Sequence, residues 1–197
     1  MINGESPVSR RVIGGVLVGG KSRRMGRPKQ LLEIGQSTML EHVVGAISGE
    51  VAEVVLLGDG PVPAAISRNP RVADSGDCRG PMAGILAALQ SDSDACWVVA
   101  ACDLPRLHRD AVRWLLRQRR PGVVAVLPSL GGFVEPHFAV WEAESRTLLE
   151  EAAASGDYAL HRLASSSRVA TAEPPEALRR CWFNANTPQE LASLRIG

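Results

Sequence analysis

A basic, glycine-containing stretch near the amino terminus carries the residues best suited to chemistry. Five cations fall within nine residues and no acidic residue separates them: Lys21, Arg23, Arg24, Arg27 and Lys29. Gly19, Gly20 and Gly26 lie in the same stretch, and glycine lets a ligand approach the backbone closely. A positive group about 4 Å from a phosphate charge gains about 4 kcal/mol at an effective dielectric near 20. The stretch therefore favours phosphate binding over a merely solvated basic loop.

The segment from Gly15 to Ser22 also satisfies G-x-x-x-x-G-K-[ST], the phosphate-binding pattern of P-loop NTPases. In a P-loop the variable residues form a turn after a strand, and the Lys-Ser pair opens a helix. Here the variable residues are the mostly apolar 16–19, which continue a strand, and Pro28 falls where the helix would run. A proline inside a helix costs about 3 kcal/mol. We therefore predict that this match is accidental and that the functional loop lies downstream, at 19–29.

A candidate metal ligand follows the apolar segment ACWVVAAC, at Asp103. Mg²⁺ prefers oxygen ligands, and proteins often supply only one or two carboxylates while substrate phosphates and waters supply the rest. By itself the sequence Asp-Leu-Pro fits a helix N-cap or a turn equally well. The basic loop favours the metal role for Asp103.

Alternating strands and helices are predicted to position these residues. The predicted strands are 12–18, 51–58, 95–103 and 123–128, and the predicted helices are 38–48, one opening at Pro81, 108–119, 142–154 and 188–194. Thr38 and Glu41 fit a capping box, and Pro81 suits a first helical position. The alternation predicts an α/β fold with a mostly parallel sheet and helices on both faces. Because ligands bind beyond the carboxyl ends of such strands, loop 19–29 and Asp103 should share one edge.

Composition limits the classes of function. The chain has 197 residues, 45% of them hydrophobic, and balances 22 Lys+Arg against 21 Asp+Glu. That balance argues against a nucleic-acid partner, and the lack of a run of about 18 apolar residues argues against a membrane partner. The four cysteines form no C-x-x-C pair and read as reduced thiols, which predicts a cytoplasmic protein. We expect one domain over 1–197, with 1–11 as a flexible lead.

Several motifs together resemble one family. LVGGKSRRMGRPKQLL, at 17–32, closely resembles the signature L-A-G-G-x-S-x-R-M-G-x-x-K of the molybdenum cofactor guanylyltransferases, the MobA-like nucleotidyltransferases. GPMAGI at 80–85, CDLP at 102–105 and NANTPQEL at 184–191 match in the same order, and EPHFAVW at 135–141 is a weaker match. Val18 departs from the signature, where alanine is usual.

The resemblance implies a Rossmann-like nucleotidyltransferase fold that transfers GMP from GTP to the terminal phosphate of molybdenum-carrying molybdopterin. Pyrophosphate is released, Mg²⁺ is the cofactor, and transient contact with other molybdenum cofactor proteins is expected. The nucleotide-binding residues it implies are Leu17, Val18, Gly19, Gly20, Lys29, Asp74 and Asp103. The catalytic residues it implies are Arg24, Lys29 and Asp103, with Asp103 as the metal ligand. The residues expected near the acceptor or the metal are His137, Asn184 and Asn186.

Other interpretations stay open at this point. A CTP-dependent molybdopterin cytidylyltransferase, or another small-molecule nucleotidyltransferase, would keep the fold; the former tends to carry L-A-A-G in the first loop. A non-catalytic nucleotide sensor or cofactor carrier would keep the loop but would not need Asp103. Asp74 fits a base or ribose contact and a solvated loop carboxylate equally well. Asn184 and Asn186 also fit turn residues before an N-cap at Thr187, and LLGDGP at 56–61 yields no assigned nucleotide contact.

Overall fold

The computed structural model describes residues 10–19, 28–185 and 190–191. Its strands are β1 Val12–Leu17, β2 Glu33–Ile34, β3 Ser37–Thr38, β4 Val54–Leu57, β5 Arg71–Val72, β6 Cys96–Ala101, β7 Ala125–Leu130, β8 Phe133–Val134, β9 Phe138–Trp141 and β10 Val169–Ala172. Its α-helices are α1 Met39–Ser48, α2 Pro81–Ser91, α3 Arg109–Leu116 and α4 Ser145–Ala154. Short 3₁₀ segments cover Lys29–Leu31, Ala64–Ile66, Leu160–Ser165 and Glu176–Trp182.

Eight strands form one sheet in the order β10-β7-β9-β6-β1-β4-β5, with β8 paired to β7. The pairs β1–β4, β1–β6, β4–β5 and β7–β10 are parallel. Strand β9 is antiparallel to both of its neighbours, β6 and β7. Strands β6 and β7 therefore point the same way, and their carboxyl ends reach the same edge of the sheet. The expectation of a mostly parallel sheet is confirmed.

Apolar helices cover both faces of the sheet. Side chains of α1, α3 and the 3₁₀ segment Glu176–Trp182 pack on one face, and those of α2 and α4 pack on the other. Successive strand residues alternate between the two faces, as Val98 and Val99 of β6 do. Both residues are buried, which explains why a central parallel strand reads as an unbroken apolar run.

Two glycines in β1 are required by this packing. A Cβ on Gly14 would lie 2.6 Å from Cγ2 of Ile47, and one on Gly15 would lie 2.7 Å from Cδ1 of Leu57. Gly15 is the first glycine of the P-loop pattern, and here it lets the strand pack against its neighbours. The residues that would form the P-loop turn include Val16 and Leu17, which are strand residues.

The local signals for two helices are confirmed. The Thr38 hydroxyl accepts a bond from the Glu41 N–H at 3.2 Å, and the Glu41 carboxylate accepts one from the Thr38 N–H at 2.7 Å. Pro81 occupies the first turn of α2, after Gly80 with φ 62°.

Element boundaries differ from the predictions in several places. Strand β4 begins at Val54 rather than 51, and α4 begins at Ser145 rather than 142. The second shift has a physical cause, because the N–H of Glu142 still donates to the carbonyl of Val124 at 2.8 Å. The carboxylate of Glu142 forms a buried ion pair with Arg119 at 2.6 Å. Strands β2, β3, β5, β8, β9 and β10 were not predicted. Of the predicted helix 188–194 only 190–191 are described, as helical.

Arg10, inside the predicted lead 1–11, pairs with Glu144 at 2.5 Å. Among the described residues, no helix is both long and apolar enough to cross a membrane.

Candidate active site

The predicted phosphate loop and the predicted metal ligand meet at the carboxyl edge of the sheet. Lys29 begins a 3₁₀ turn, and its ammonium donates to Oδ2 of Asp103, just beyond β6, at 2.9 Å. The two side chains are only 18% and 17% exposed, so solvent screens this pair less than a surface ion pair. The expectation that loop 19–29 and Asp103 share one edge is therefore confirmed for Lys29. Gly20, Arg24 and Asn186 lie outside the described residues.

Aromatic packing brings the carboxyl-terminal segment to Asp103. The indole N–H of Trp182 donates to the carbonyl of Phe138 at 3.0 Å, and the two rings lie 5.0 Å apart. The chain then passes through half-buried Asn184, and the N–H of Ala185 donates to the carbonyl of Asp103 at 3.0 Å. Asn184 is thus adjacent in sequence to a residue bonded to Asp103, and its place near the acceptor or the metal stays a prediction.

The ends of β1, β4 and β5 form one side of this edge, here called the β4 side. Glycine-rich backbone closes this side. The carbonyl of Val18 accepts from the N–H of Gly60 at 3.1 Å, and the N–H of Val18 donates to Leu57 at 2.7 Å. Gly58 has φ 104° and lies against the Val18 carbonyl. Gly19 is exposed, and among the described residues a Cβ there would meet nothing within 4 Å. None of these residues therefore blocks the approach of a ligand to the backbone at Gly19.

Asp74 is on the β4 side as well. Its Oδ1 would lie 3.4 Å from a Cβ placed on either Gly58 or Gly84, so its carboxylate is close to both backbones. Burial raises the pKa of Asp74, and the nearby carboxylate of Asp59 raises it further. Asp59 belongs to the segment LLGDGP, for which the sequence yields no assignment. The structure thus adds Asp59, an acidic residue near Asp74 to which the sequence motifs assign no role.

His137 lies on the other side of Asp103. This side, here called the β9 side, comprises the ends of β9 and β7 at this edge and the β7–β8 hairpin. Its carbonyl accepts from the N–H of Ala101, the last residue of β6, at 2.7 Å. Nδ1 of His137 is buried and has no hydrogen-bond partner among the described residues. Burial raises the pKa of Glu135, and the charge of His137 opposes that shift. The structure therefore separates His137 from Asp74, with Asp103 between them.

Cys102 is not suited to redox chemistry in this environment. Burial raises the pKa of its thiol to about 12, and the Asp103 charge contributes in the same direction. Its side chain is 6% exposed, so the thiol stays protonated and poorly nucleophilic.

Comparison with known proteins identifies the family. The family model of the MobA-like NTP transferase domain matches residues 14–171, which extend from within β1 into β10. The chain belongs to the MobA-like NTP transferase family. The predicted resemblance is confirmed.

Relatives of this MobA-like chain carry consistent names. A "Probable molybdenum cofactor guanylyltransferase" of Pelotomaculum thermopropionicum is 32% identical over 191 residues, which cover 93% of this chain and 91% of the relative. A "Molybdenum cofactor guanylyltransferase" of Pseudomonas putida is 31% identical over 179 residues, which cover 89% and 93% of the two chains. These relatives are nucleotidyltransferases by name.

Solved structures agree on the fold. The molybdopterin-guanine dinucleotide biosynthesis protein A of Archaeoglobus fulgidus has a TM-score of 0.76 and 24% identity, over 93% of this chain and 97% of that chain. A 4-diphosphocytidyl-2C-methyl-D-erythritol synthase of Anaerococcus prevotii has a TM-score of 0.66 and 11% identity, over 95% and 97% of the two chains. At these identities the likeness concerns architecture, and it confirms the Rossmann-like nucleotidyltransferase fold of this MobA-like chain.

Proposed function

We propose that this protein transfers GMP from GTP to the terminal phosphate of molybdenum-carrying molybdopterin and releases pyrophosphate. The observation that carries the proposal is the Lys29–Asp103 pair at 2.9 Å, held at the edge where ligands of parallel sheets bind. The names of the relatives support the choice of nucleotide and acceptor.

The reaction needs positioning rather than a protein nucleophile. An oxygen of the acceptor phosphate forms a bond to the α-phosphorus of GTP, and the bond from that phosphorus to the bridging oxygen of pyrophosphate breaks. Lys29 supplies a positive charge whose orientation is fixed before substrate arrives, because Asp103 holds its ammonium. Donors fixed in this way need little reorganisation as charge develops, which is a large part of enzymatic rate enhancement.

Asp103 fits a magnesium ligand. Among the described residues no group of three or more acidic, histidine or cysteine side chains gathers for a metal, but Mg²⁺ needs only one or two carboxylates when substrate phosphates supply other ligands. Lys29 bonds Oδ2, so Oδ1 is the carboxylate oxygen that we assign to the ion. When bound, Mg²⁺ would neutralise phosphate charge and orient the triphosphate.

The β4 side suits a guanine base. Ionised carboxylates only accept hydrogen bonds, and guanine presents two kinds of donor on one edge, its ring N–H and its exocyclic amine. The Asp74 carboxylate lies close to the backbones of Gly58 and Gly84, and the Asp59 carboxylate is near enough to raise the pKa of Asp74. We therefore assign the base to Asp74, and the sugar and phosphates to the backbone of 17–19.

The β9 side is then left for the acceptor. Asn184 and His137 flank Asp103 on this side and carry groups that bond phosphate oxygens. The roles of Gly20, Arg24 and Asn186 in binding phosphate or acceptor, the cytoplasmic location and the contact with other molybdenum cofactor proteins remain predictions.

The proposal is tested by measuring Mg²⁺-dependent binding of GTP, CTP, ATP and UTP to the wild type and to Asp103→Ala. We expect selective GTP binding whose Mg²⁺ dependence is lost in the variant. Lys29→Ala should lower the rate of GMP transfer to molybdopterin by about 10²–10³, the usual loss for one preorganised donor. Asp110→Ala, at an exposed carboxylate on α3, is the matched control and should retain both properties.

Different results point to different conclusions. Preference for CTP would keep the mechanism and overturn the assignment of the base. Tight GTP binding without transfer to any molybdopterin acceptor would favour a nucleotide sensor, and absence of nucleotide binding would overturn the proposal.

A further inference from the structure

The β7–β8 hairpin is a rigid element with a two-residue turn. Gly131 has φ 58° and Gly132 has φ 85°, which is the positive-φ geometry of the turn that best matches the twist of paired strands. Leu130 lies opposite Phe133, and Ser129 opposite Val134. The turn geometry and the strand pairing therefore fix the position of this hairpin relative to β7.

One aromatic side chain of this hairpin is left in solvent. Phe133 is 77% exposed, far more than Phe183 at 39% or Leu31 at 37%, which are the other exposed large apolar residues of the described chain. Its neighbours in the hairpin are anchored, because Leu130 packs against one core cluster and Val134 against the other. The exposed ring of Phe133 thus lies between hairpin residues, Leu130 and Val134, that pack against the core.

The hairpin lies on the β9 side, at the same edge as the Lys29–Asp103 pair. Strand β9 alone separates β7 from β6, and at about 4.8 Å per strand spacing the two lie roughly 10 Å apart. The N–H of Glu135 donates to the carbonyl of Pro128 at 2.8 Å and so ties the returning chain to β7. Phe133 is therefore placed beyond His137, away from Asp74.

We propose that Phe133 is the platform on which the flat pterin ring system of the acceptor stacks while the acceptor phosphate reaches Asp103. This inference rests on the proposed function and adds a specificity-determining residue to it. Aromatic rings stack in offset or edge-to-face geometry on flat partners, and a pterin offers such a face. The acceptor phosphate lies only a few bonds from the ring, so a platform at the sheet edge that carries Asp103 suits this acceptor.

A protein partner fits these observations less well. Stable protein interfaces bury about 800 Å² on each partner and contain clusters of apolar residues. Here one exposed ring, that of Phe133, follows a turn of two glycines. A small planar ligand is the occupant that one exposed aromatic face can recognise.

The test compares wild type, Phe133→Ala and Phe133→Trp in steady-state GMP transfer with molybdopterin as acceptor. In F133A we expect the KM for the acceptor to rise about three- to tenfold, the loss typical of one aromatic stack, with the KM for GTP unchanged. In F133W the acceptor KM should return to near the wild-type value, because an aromatic face is restored. An unchanged acceptor KM in F133A would overturn the inference, as would an equal rise in both KM values.

A direct binding measurement separates this inference from the proposed function. The probe is 6-hydroxymethylpterin, which carries the ring and no phosphate, titrated by calorimetry into wild type and F133A. Weaker binding to F133A supports the platform even if no GMP transfer is detected, whereas equal or absent binding counts against it. Transfer of GMP by wild type with no effect of F133A on either measurement would leave the proposed function intact and remove the platform.

Discussion

The two sides of the sheet edge are built by different means. On the β4 side, β1 packs so closely against α1 and β4 that a Cβ on Gly14 or Gly15 would overlap a neighbouring side chain. On the β9 side an antiparallel strand and a hairpin form the edge, and Trp182 connects this side to the segment that reaches Asp103. Close packing of β1 therefore fixes the proposed nucleotide site, whereas a few long-range side-chain contacts fix the proposed acceptor site.

Removing the aromatic anchor of the β9 side should have the largest effect. Trp182 is 3% exposed and contacts both Phe138 and Trp114, so Trp182→Ala should lower the free energy of unfolding by about 3–5 kcal/mol. For a domain of this size that lowers Tm by roughly 6–20 °C. Thermal unfolding measures the loss.

The same variant, assayed below its Tm, tests whether the two sides of the edge are independent. The KM for the acceptor should rise more than the Kd for GTP, because the rings that Trp182 contacts are those of Phe138 on β9 and Trp114 on α3. A parallel loss of GTP affinity would show that the two sides are not independent. Trp182→Phe, which keeps a ring but removes the donor to Phe138, should give a smaller change of the same kind.

Two alanine substitutions on the β4 side should separate packing from ligand access. Gly15→Ala should cost about 1–2 kcal/mol of stability, since overpacking costs about 1–3 kcal/mol and replacing glycine returns about 0.5–1 kcal/mol. Gly19→Ala meets no atom of the described residues within 4 Å, so its stability should stay within about 0.5 kcal/mol of wild type, while GTP binds more weakly. Denaturant unfolding and GTP titration of both variants check this, and equal losses of stability would contradict it.

The smallest expected effect concerns the charge of Asp74. Burial and Asp59 raise its pKa in the folded state, so the folded protein binds more protons than the unfolded chain between the ordinary and the raised pKa. Stability therefore falls as pH rises through that window and is constant above it. Asp74→Asn should remove this slope and change stability at neutral pH by no more than about 0.5 kcal/mol.

The GTP affinity of Asp74→Asn tests the base assignment. An amide offers one acceptor oxygen where a carboxylate offers two, so GTP should bind about tenfold more weakly, a loss typical of a hydrogen bond to a charged group. CTP binding should change less. The pH dependence of unfolding and titrations with both nucleotides are the measurements, and an equal loss for GTP and CTP would argue that Asp74 does not contact the base.

Local signals made the β4 side predictable from sequence. The apolar run of β1, the capping box of α1 and Pro81 at the start of α2 each act over a few neighbouring residues, and all three are confirmed. Strand direction in parallel sheets predicted that loop 19–29 and Asp103 share one edge, and the 2.9 Å contact between Lys29 and Asp103 agrees with that prediction. The ion pair itself was not predicted, because nothing local links residues so far apart in sequence.

The β9 side was predicted poorly for physical reasons. Strand β9 has four residues and β8 has two, which is too short for a periodic pattern to stand out. The antiparallel direction of β9 depends on pairing with β6 and β7, which no local signal specifies. His137 was found by motif alone, and Phe133 was missed since exposure at one position of a hairpin leaves no trace in the sequence.

The order of the strands also has a consequence for synthesis of the chain. Strand β9 inserts between β6 and β7, so a nascent chain that ends before Phe138 leaves β6 as an open edge. That edge is the apolar segment Cys96–Ala101, and an unpaired apolar strand is a template for association with other chains. Fragments of this protein that end within the β7–β8 hairpin should therefore be prone to aggregation.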